Sequence, residues 1–478
     1  MPLTNSRFQQ KTNCRYAGFI ACVFAFIFAL ACYPVSAWAD VRSDDVVLGQ
    51  TVQSRSLKAS DCPSIGANYA YVVSSDGTVY YDRGAQTETK IASVTKVMTA
   101  VVALQYGDPE QTQITVSENA ASIGESSAAL MAGDTLVLRD ALKALMICSG
   151  NDAAQAIAES MGSAIRDELK ESGDSDVPDN AYDAFIYAMN KKAAELGMTN
   201  SKFANPHGLD FDKYAGDMHS TAHDVSLMCI EAMKSSLFRS IVSTDTETIQ
   251  VTRAGASADV LLESTDELLG VYNGACGIKT GYTELAGSCF AGAVERNGEI
   301  LYAIVLDSSD DVARFTDCTT LTDWVYNNTI QYPLAHSTET VNAELNGEQK
   351  DVPVVAEVSH KGWIDKTFKA TLANPDERIE VFRLEGNVSQ EMHFDDVTSD
   401  VSPGQKVGTV EFKQDNKVIK TVDLVAAEEC KAPNFFEGIG IWWDRLFRGF
   451  NNEPTEAEST VVNTTPLIYG RNATVETN

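Results

Sequence analysis

The stretch IASVTKVMTA, residues 91–100, sets a hydroxyl at Ser93 and an amine at Lys96 three positions apart in an otherwise apolar run. Residues three apart share one face of a helix, so the two side chains can meet. A serine is a weak nucleophile until a base takes its proton. A lysine is such a base only when neutral, and its ordinary pKa of about 10.4 falls that far only through burial and a neighbouring cation. Val94, Val97, Met98 and Ala100 supply the burial. Two further stretches carry polar groups of the same kind. MICSGNDAAQ places Ser149 and Asn151 at a helix-to-helix junction, where Gly150 allows a tight turn and Asp152 can cap the next helix. CGIKTGYTELAGS places Lys279, Thr280 and Gly281 on a strand that leads into a hairpin. Each has an ordinary reading when taken alone, as core helix, interhelical turn or strand end.

The surrounding pattern says which elements must position these groups. Residues 69–82, YAYVVSSDGTVYYD, are two β-rich runs broken by Ser75, Asp76 and Gly77, a hairpin signal. Apolar residues then recur at three and four from Ile91 to about Tyr106, Val137 to Ile147, Asp152 to Met161 and Tyr182 to Leu196, which predicts helices. Residues 166–182 are acidic and rich in breakers, and read as a solvated insertion. A second β region begins near Ala275, with a hairpin at Asn297 and Gly298, and a helix holding Trp324 and Tyr326 closes the domain. Strands bracketing a helical middle predict one α+β domain over residues 40–335. Short alternating runs over residues 340–428 predict a separate all-β domain.

In order, the three stretches form a serine-x-x-lysine, serine-x-asparagine, lysine-threonine-glycine set. With MTNSKFANPHGLD and STAHDVSLM they resemble the D-alanyl-D-alanine carboxypeptidases of the low-molecular-mass penicillin-binding proteins, over roughly residues 60–450. The resemblance implies an α+β catalytic domain of the β-lactamase/transpeptidase type, a sheet plus a helical cluster, then the small all-β domain and a C-terminal amphipathic helix. It implies that Ser93 attacks the penultimate D-alanine carbonyl of a peptidoglycan stem peptide while Lys96 takes its proton. Ser149 would relay a proton to the departing amine, and Asn151 would hold substrate and Lys96. Lys279 and Thr280 would bind the terminal carboxylate, with Gly281 letting substrate lie along the strand edge. The backbone N–H groups of Ser93 and Tyr282 would form an oxyanion hole. No metal or cofactor is expected, and β-lactams would be covalent inhibitors. Three alternatives stay open: a β-lactamase, although no Glu-x-x-Leu-Asn stretch occurs, an endopeptidase or transpeptidase of the same fold, and a non-catalytic wall-binding scaffold.

Other features bound the setting. The formal charge of −30 argues against nucleic acid as a partner. Arg7, Lys11 and Arg15 precede an apolar run that ends in SAWAD, so residues 1–39 read as a secretory signal, with a retained anchor as the alternative. The expected location is the outer face of the cytoplasmic membrane, at the cell wall. Loss of those three cations takes the charge to −33. Seven of the ten cysteines lie beyond the signal, an odd number that cannot all pair within the chain. Within residues 431–450, Phe435, Phe436, Ile439, Trp442, Trp443, Leu446, Phe447 and Phe450 share one helical arc opposite Glu437, Asp444, Arg445 and Arg448. That predicts a helix lying on a membrane surface through residues 435–450. Residues 451–478 read as a disordered tail. His207 and His219 offer a serine-histidine arrangement, which a lysine base makes unnecessary. Cys148, beside Met146 and Ile147, reads as an inert core thiol.

Overall fold

The computed structural model describes residues 40–345 and 347–470, so the expected signal over residues 1–39 lies outside the described residues. The chain divides into two compact units, the first ending at Thr322 and the second starting at Asp323.

The first unit is built on an antiparallel sheet whose central strands are β1 (Tyr69–Ser74), β2 (Val79–Arg83), β3 (Ala275–Thr283), β4 (Gly287–Arg296) and β5 (Glu299–Ser308). The order is β2-β1-β5-β4-β3, with two short N-terminal strands beyond β2. Chain segments 231 residues apart in sequence therefore meet at the pairing of Val72 with Ala303. The expected hairpins form: Asn297 and Gly298 both take positive φ, the geometry of a two-residue turn that suits strand twist. This arrangement leaves β3 at the sheet edge, with Lys279, Thr280 and Gly281 paired on one side only, opposite Ala291, Phe290 and Cys289.

The helical cluster contains α1 (Lys96–Tyr106), α2 (Leu138–Met146), α3 (Asn151–Glu171), α4 (Ala181–Glu195) and α5 (Ala222–Ala232). Every residue of α1 from Lys96 to Ala103 is buried, so this helix is core on all sides. The acidic insertion needs correction. Ile157, Met161, Ile165 and Leu169 form an unbroken buried stripe at intervals of four, so α3 runs on to Glu171 with Asp167, Glu168 and Glu171 facing out. Beyond it Val177 is buried, and Asp174 accepts from Tyr187 and Lys191.

The domain boundary also moves. Helix α6 (Ala313–Asn328) does contain Trp324 and Tyr326, yet its last turn belongs to the second unit. There the Trp324 ring packs edge-on against Phe382, and Asn328 accepts from Arg383. Beyond the end of α6 the second unit is mostly β, with a 3-10 turn at Arg383–Glu385 and one further helix, α7 (Phe435–Asn451), which opens with a capping box between Asn434 and Glu437. No residue of α7 is buried, and its apolar arc faces solvent. No helix of the described residues is long and apolar enough to cross a membrane.

The expected disordered tail is a second correction for its described part. Thr460 and Val461 pair with Glu357 and Ala356 at the edge of the six-stranded sheet. Asn463, 5% exposed, donates to the Leu334 carbonyl and the Gln390 side chain and accepts from the His336 N–H. Ile468 is buried in the same core. A polar composition hid the segment because one amide and one isoleucine do most of the docking.

Candidate active site

Ser93 sits on a 3-10 turn, Ala92–Thr95, that runs directly into α1. Ala92, just before it, has φ +46°, in the left-handed region that a residue with a side chain rarely adopts. Two glycines hold this turn by close approach. A Cβ on Gly208 would lie 1.9 Å from the Ala92 carbonyl oxygen. A Cβ on Gly281 would lie 2.9 Å from the Ile91 oxygen and 3.1 Å from the Ser93 nitrogen. Gly281 thus lets the β3 edge press against the turn that carries Ser93, a role the sequence reading gave only to substrate clearance.

Lys96 is fully buried and its Nζ has three partners: Ser93 Oγ at 2.8 Å, Asn151 Oδ1 at 2.6 Å and the His207 carbonyl at 3.0 Å. Burial, and then the Lys279 cation, hold its pKa well below the usual lysine range. A neutral amine has two N–H groups and one lone pair. The two carbonyl-type oxygens accept only, so they take both N–H groups and leave the lone pair facing the Ser93 hydroxyl. That is the geometry a general base requires.

The second stretch comes in on the α2–α3 junction. Ser149 takes the positive φ (+63°), while Gly150 is needed because a Cβ there would meet Asp152 Oδ1 at 2.6 Å and the Ala144 oxygen at 2.9 Å. Asn151 donates to the Gly124 carbonyl, which fixes its amide with the oxygen towards Lys96. Asp152 lies inside the first turn rather than at the N-cap, which is Gly150, and its side chain accepts the first-turn N–H of Ala153. It accepts from the Ala128 and Leu130 N–H groups and the Ser127 hydroxyl, and so pins the loop that begins at Glu125 and Ser126.

From β3, Lys279 Nζ donates to the Thr280 carbonyl at 3.0 Å, and the Thr280 and Thr265 hydroxyls lie 2.6 Å apart. Burial lowers the Lys279 pKa to about 7. Ser93, Ser149, Asn151, Thr280, Gly281 and Tyr282 all border one cavity of about 650 Å³. Lys96 and Lys279 lie buried behind that wall. The cavity also takes in Thr265, Asp210 and Arg314, which carried no sequence signal. Arg314 donates to the Gly281 carbonyl at 3.3 Å and pairs with Asp311 at 3.0 Å.

The remaining candidates fall away from the chemistry. The His207 ring is fully buried, accepts from the Leu209 N–H, and is pushed down to about 3, chiefly by burial. It stays neutral and serves the site through its carbonyl. His219 faces Asp217 and Glu88 and is not among the cavity's lining residues. Cys148 is pushed up to about 11 by burial and Asp152, so it is a thiol at neutral pH. Among the described residues the cysteines are all free. Among the described residues one group of metal-ligating type, Glu391, His393 and Glu411, lies in the second unit with Lys413 already bonded to both glutamates.

Comparison with known proteins adds an independent line. The model of the D-alanyl-D-alanine carboxypeptidase family matches residues 56–170 and 176–310, about half the chain, and that of the penicillin-binding protein 5 C-terminal domain matches residues 384–432. The gap between the first two segments falls in the α3–α4 loop. The D-alanyl-D-alanine carboxypeptidase DacF of Bacillus subtilis is 27% identical over 75% of this chain and 84% of its own length. The D-alanyl-D-alanine carboxypeptidase of Streptomyces sp. strain K15 is 31% identical over 55% of this chain and 88% of its own. A solved structure of a variant of the Streptomyces K15 DD-transpeptidase covers 55% of this chain and 98% of that one, at 30% identity and a TM-score of 0.50.

Proposed function

This chain belongs to the D-alanyl-D-alanine carboxypeptidase family, and on that premise we propose that it removes the terminal D-alanine from peptidoglycan stem pentapeptides through an acyl-enzyme on Ser93. The observation that carries the reading is the Lys96 amine, whose two N–H groups are engaged by Asn151 and the His207 carbonyl while its lone pair meets Ser93 Oγ.

Ser93 Oγ attacks the carbonyl carbon of the penultimate D-alanine and its proton passes to Lys96 Nζ. The oxygen that gains charge is held by the backbone N–H groups of Ser93 and Tyr282. The C–N bond then breaks, and the leaving amine takes a proton that started on Lys96 and is relayed by the Ser149 hydroxyl. Lys279 as ammonium, with the Thr280 hydroxyl, binds the carboxylate of the departing residue, and its charge helps keep Lys96 neutral. Water, deprotonated by Lys96, hydrolyses the ester and frees Ser93. A penicillin enters the same path and stalls as the acyl-enzyme.

The proposed location is the outer face of the cytoplasmic membrane, with the exposed aromatic face of α7 in the bilayer interface. Arg445, on the opposite face, donates to the Lys361 and Trp363 carbonyls and so turns the apolar arc outward.

The test is D-alanine release from a pentapeptide ending in D-Ala-D-Ala, together with mass spectrometry of a penicillin adduct. Release that is lost in Ser93→Ala and an adduct on Ser93 are expected. An adduct elsewhere would sink the assignment, rapid penicillin turnover without D-alanine release would favour a β-lactamase, and neither activity would favour the scaffold.

A further inference from the structure

Behind Lys279 and Thr280 stands a turn, Ser264 to Leu268, that belongs to none of the three motifs. The Thr265 hydroxyl lies 2.6 Å from the Thr280 hydroxyl, and the Thr265 N–H donates to the Ile147 carbonyl two residues before Ser149. The turn is therefore fastened to two of the stretches that face the cavity. Thr265 borders the cavity; Asp266, 7% exposed, does not. The Asp266 N–H donates to Ser264 Oγ at 3.1 Å, and its Oδ1 accepts from the Leu268 N–H at 2.9 Å. Its Oδ2 is shielded from water and has no donor among the described residues. An asparagine or a serine makes the same kind of turn, so local geometry does not account for a buried negative charge. Such a charge needs a compensating one.

The charges that act on Asp266 are the cations of Lys279 and Arg314 and the anion of Glu267. Arg314 is already engaged by Asp311 and the Gly281 carbonyl, and Glu267 is exposed. Lys279 is buried, and the oxygens it hydrogen-bonds are the two of Thr280, both neutral. The groups that act on Lys279 are Cys148, Arg314 and Asp266. Cys148, pushed up to about 11, is an uncharged thiol at neutral pH, and Arg314 is a like charge. Asp266 is then the one anion, among the described residues, that favours the charged form of Lys279. Lys96, on which the Lys279 charge acts, and Cys276, also a thiol pushed up to about 11, complete the titratable groups around the pair.

We infer that Asp266 is a positioning residue for the carboxylate site, a buried counter-charge that holds Lys279 as an ammonium until the carboxylate of a ligand takes over. The inference rests on the carboxypeptidase reading and adds to it a residue that substrate does not touch. Burial raises the Asp266 pKa to about 6, so it is an anion where Lys279, at about 7, starts to lose its proton. Below that range Asp266 is neutral and Lys279 is protonated without its help.

Two rates followed against pH in the full exported chain decide it: acylation of Ser93 by a labelled penicillin, which brings its own carboxylate, and D-alanine release from the pentapeptide. In Asp266→Asn the alkaline limb near pH 7 should move down by about one unit, the effect of losing a close opposite charge, so both rates should fall about tenfold at pH 8. Towards about pH 5 the wild-type Asp266 is protonated as well, and the two profiles should merge. If Asp266→Asn is not acylated at any pH, Asp266→Ser decides, because it keeps an acceptor for the Leu268 N–H without the charge. A limb that stays in place overturns the inference. So does a loss of equal size at every pH, or no acylation of either variant, since both mark a structural role. A wild type that is acylated but releases no D-alanine overturns the carboxypeptidase reading instead, and the acylation profiles still judge Asp266.

Discussion

The first unit buries three long cationic side chains almost completely, and it treats them in opposite ways. Arg83 receives a full set of acceptors. Asp45 takes its Nε and Nη2 at 2.8 and 2.7 Å, Asp40 lies 3.0 Å from Nη1, and the Ile65, Ala67 and Asp40 carbonyls accept the rest. Burial is the largest single influence and works against the charge there, but the Asp45 hydrogen bonds together with the neighbouring Tyr81, Asp45 and Asp40 outweigh it and the pKa is raised. Lys96 and Lys279 are equally buried and the oxygens they hydrogen-bond are all neutral. Burial therefore wins and both pKa values fall. A satisfied buried cation fastens the N-terminal segment to the sheet, while an unpaired one is held ready to exchange a proton.

The comparison breaks most sharply at Lys96. In Lys96→Met the base is gone, and acylation of Ser93 by a labelled penicillin should slow by about 10³- to 10⁴-fold. Arg83→Met should leave that rate unchanged per folded molecule. A comparable slowing in Arg83→Met would mean that the two cations do not differ in kind. Arg83→Met should instead cost about 3–5 kcal/mol of stability, because Asp45 is left buried with its charge uncompensated. Urea unfolding followed by tryptophan-independent circular dichroism measures this, and a loss under 1 kcal/mol would deny Arg83 its fastening role.

Lys279 sharpens the contrast through pH. Its pKa is about 7 when folded, against 10.5 for the ordinary side chain. Between those values the unfolded chain binds a proton that the folded chain does not, so wild-type stability should rise with pH across that window and level off below 7. Lys279→Met should flatten the rise, by roughly 2–4 °C in melting temperature between pH 7 and 9.5 if ~1 kcal/mol of it survives relaxation. An unchanged pH slope would show that Lys279 keeps its charge in the fold. The same titration should appear in catalysis as a falling alkaline limb of kcat/KM near pH 7, shifted upward in kcat because a bound carboxylate holds the proton.

The two kinds of buried cation also differ in how far they could be read from sequence. Ser93, Lys96, Ser149, Asn151, Lys279 and Thr280 were legible because each motif packs its chemistry into three or four consecutive positions, and they all meet at one cavity or directly behind it. The α+β order and the hairpins were legible from apolar period and turn residues. What escaped comes from long-range backbone and loop geometry: the His207 carbonyl on Lys96, Asp210 under the Thr283 hydroxyl, Thr265 beside Thr280, and Arg314, 33 residues beyond the carbonyl it binds. Arg83 and Asp45 are 38 residues apart, with no periodic pattern joining them. The length of α3 was misjudged because charge on its outer face masked an intact stripe, and the returning tail because its docking rests on Asn463 and Ile468.

Arg445 is an intermediate case and carries the smallest expected effect. Like Lys96 it meets only uncharged oxygens of its own unit, here the carbonyls of Lys361, Trp363 and Thr455, but it is half-buried and keeps access to water. Water can complete its solvation, so it needs no carboxylate partner and should behave as a strut. Arg445→Gln removes part of this donor fork, and a loss of about 1 kcal/mol is expected. The loss should be confined to α7 and the returning segment near Thr455, seen as faster amide exchange there with penicillin acylation of Ser93 unaltered. If Arg445→Gln instead matched the loss expected for Arg83→Met, solvent access would not be what separates a tolerated carbonyl-only cation from a reactive one, and the low pKa of Lys96 would need a cause other than burial.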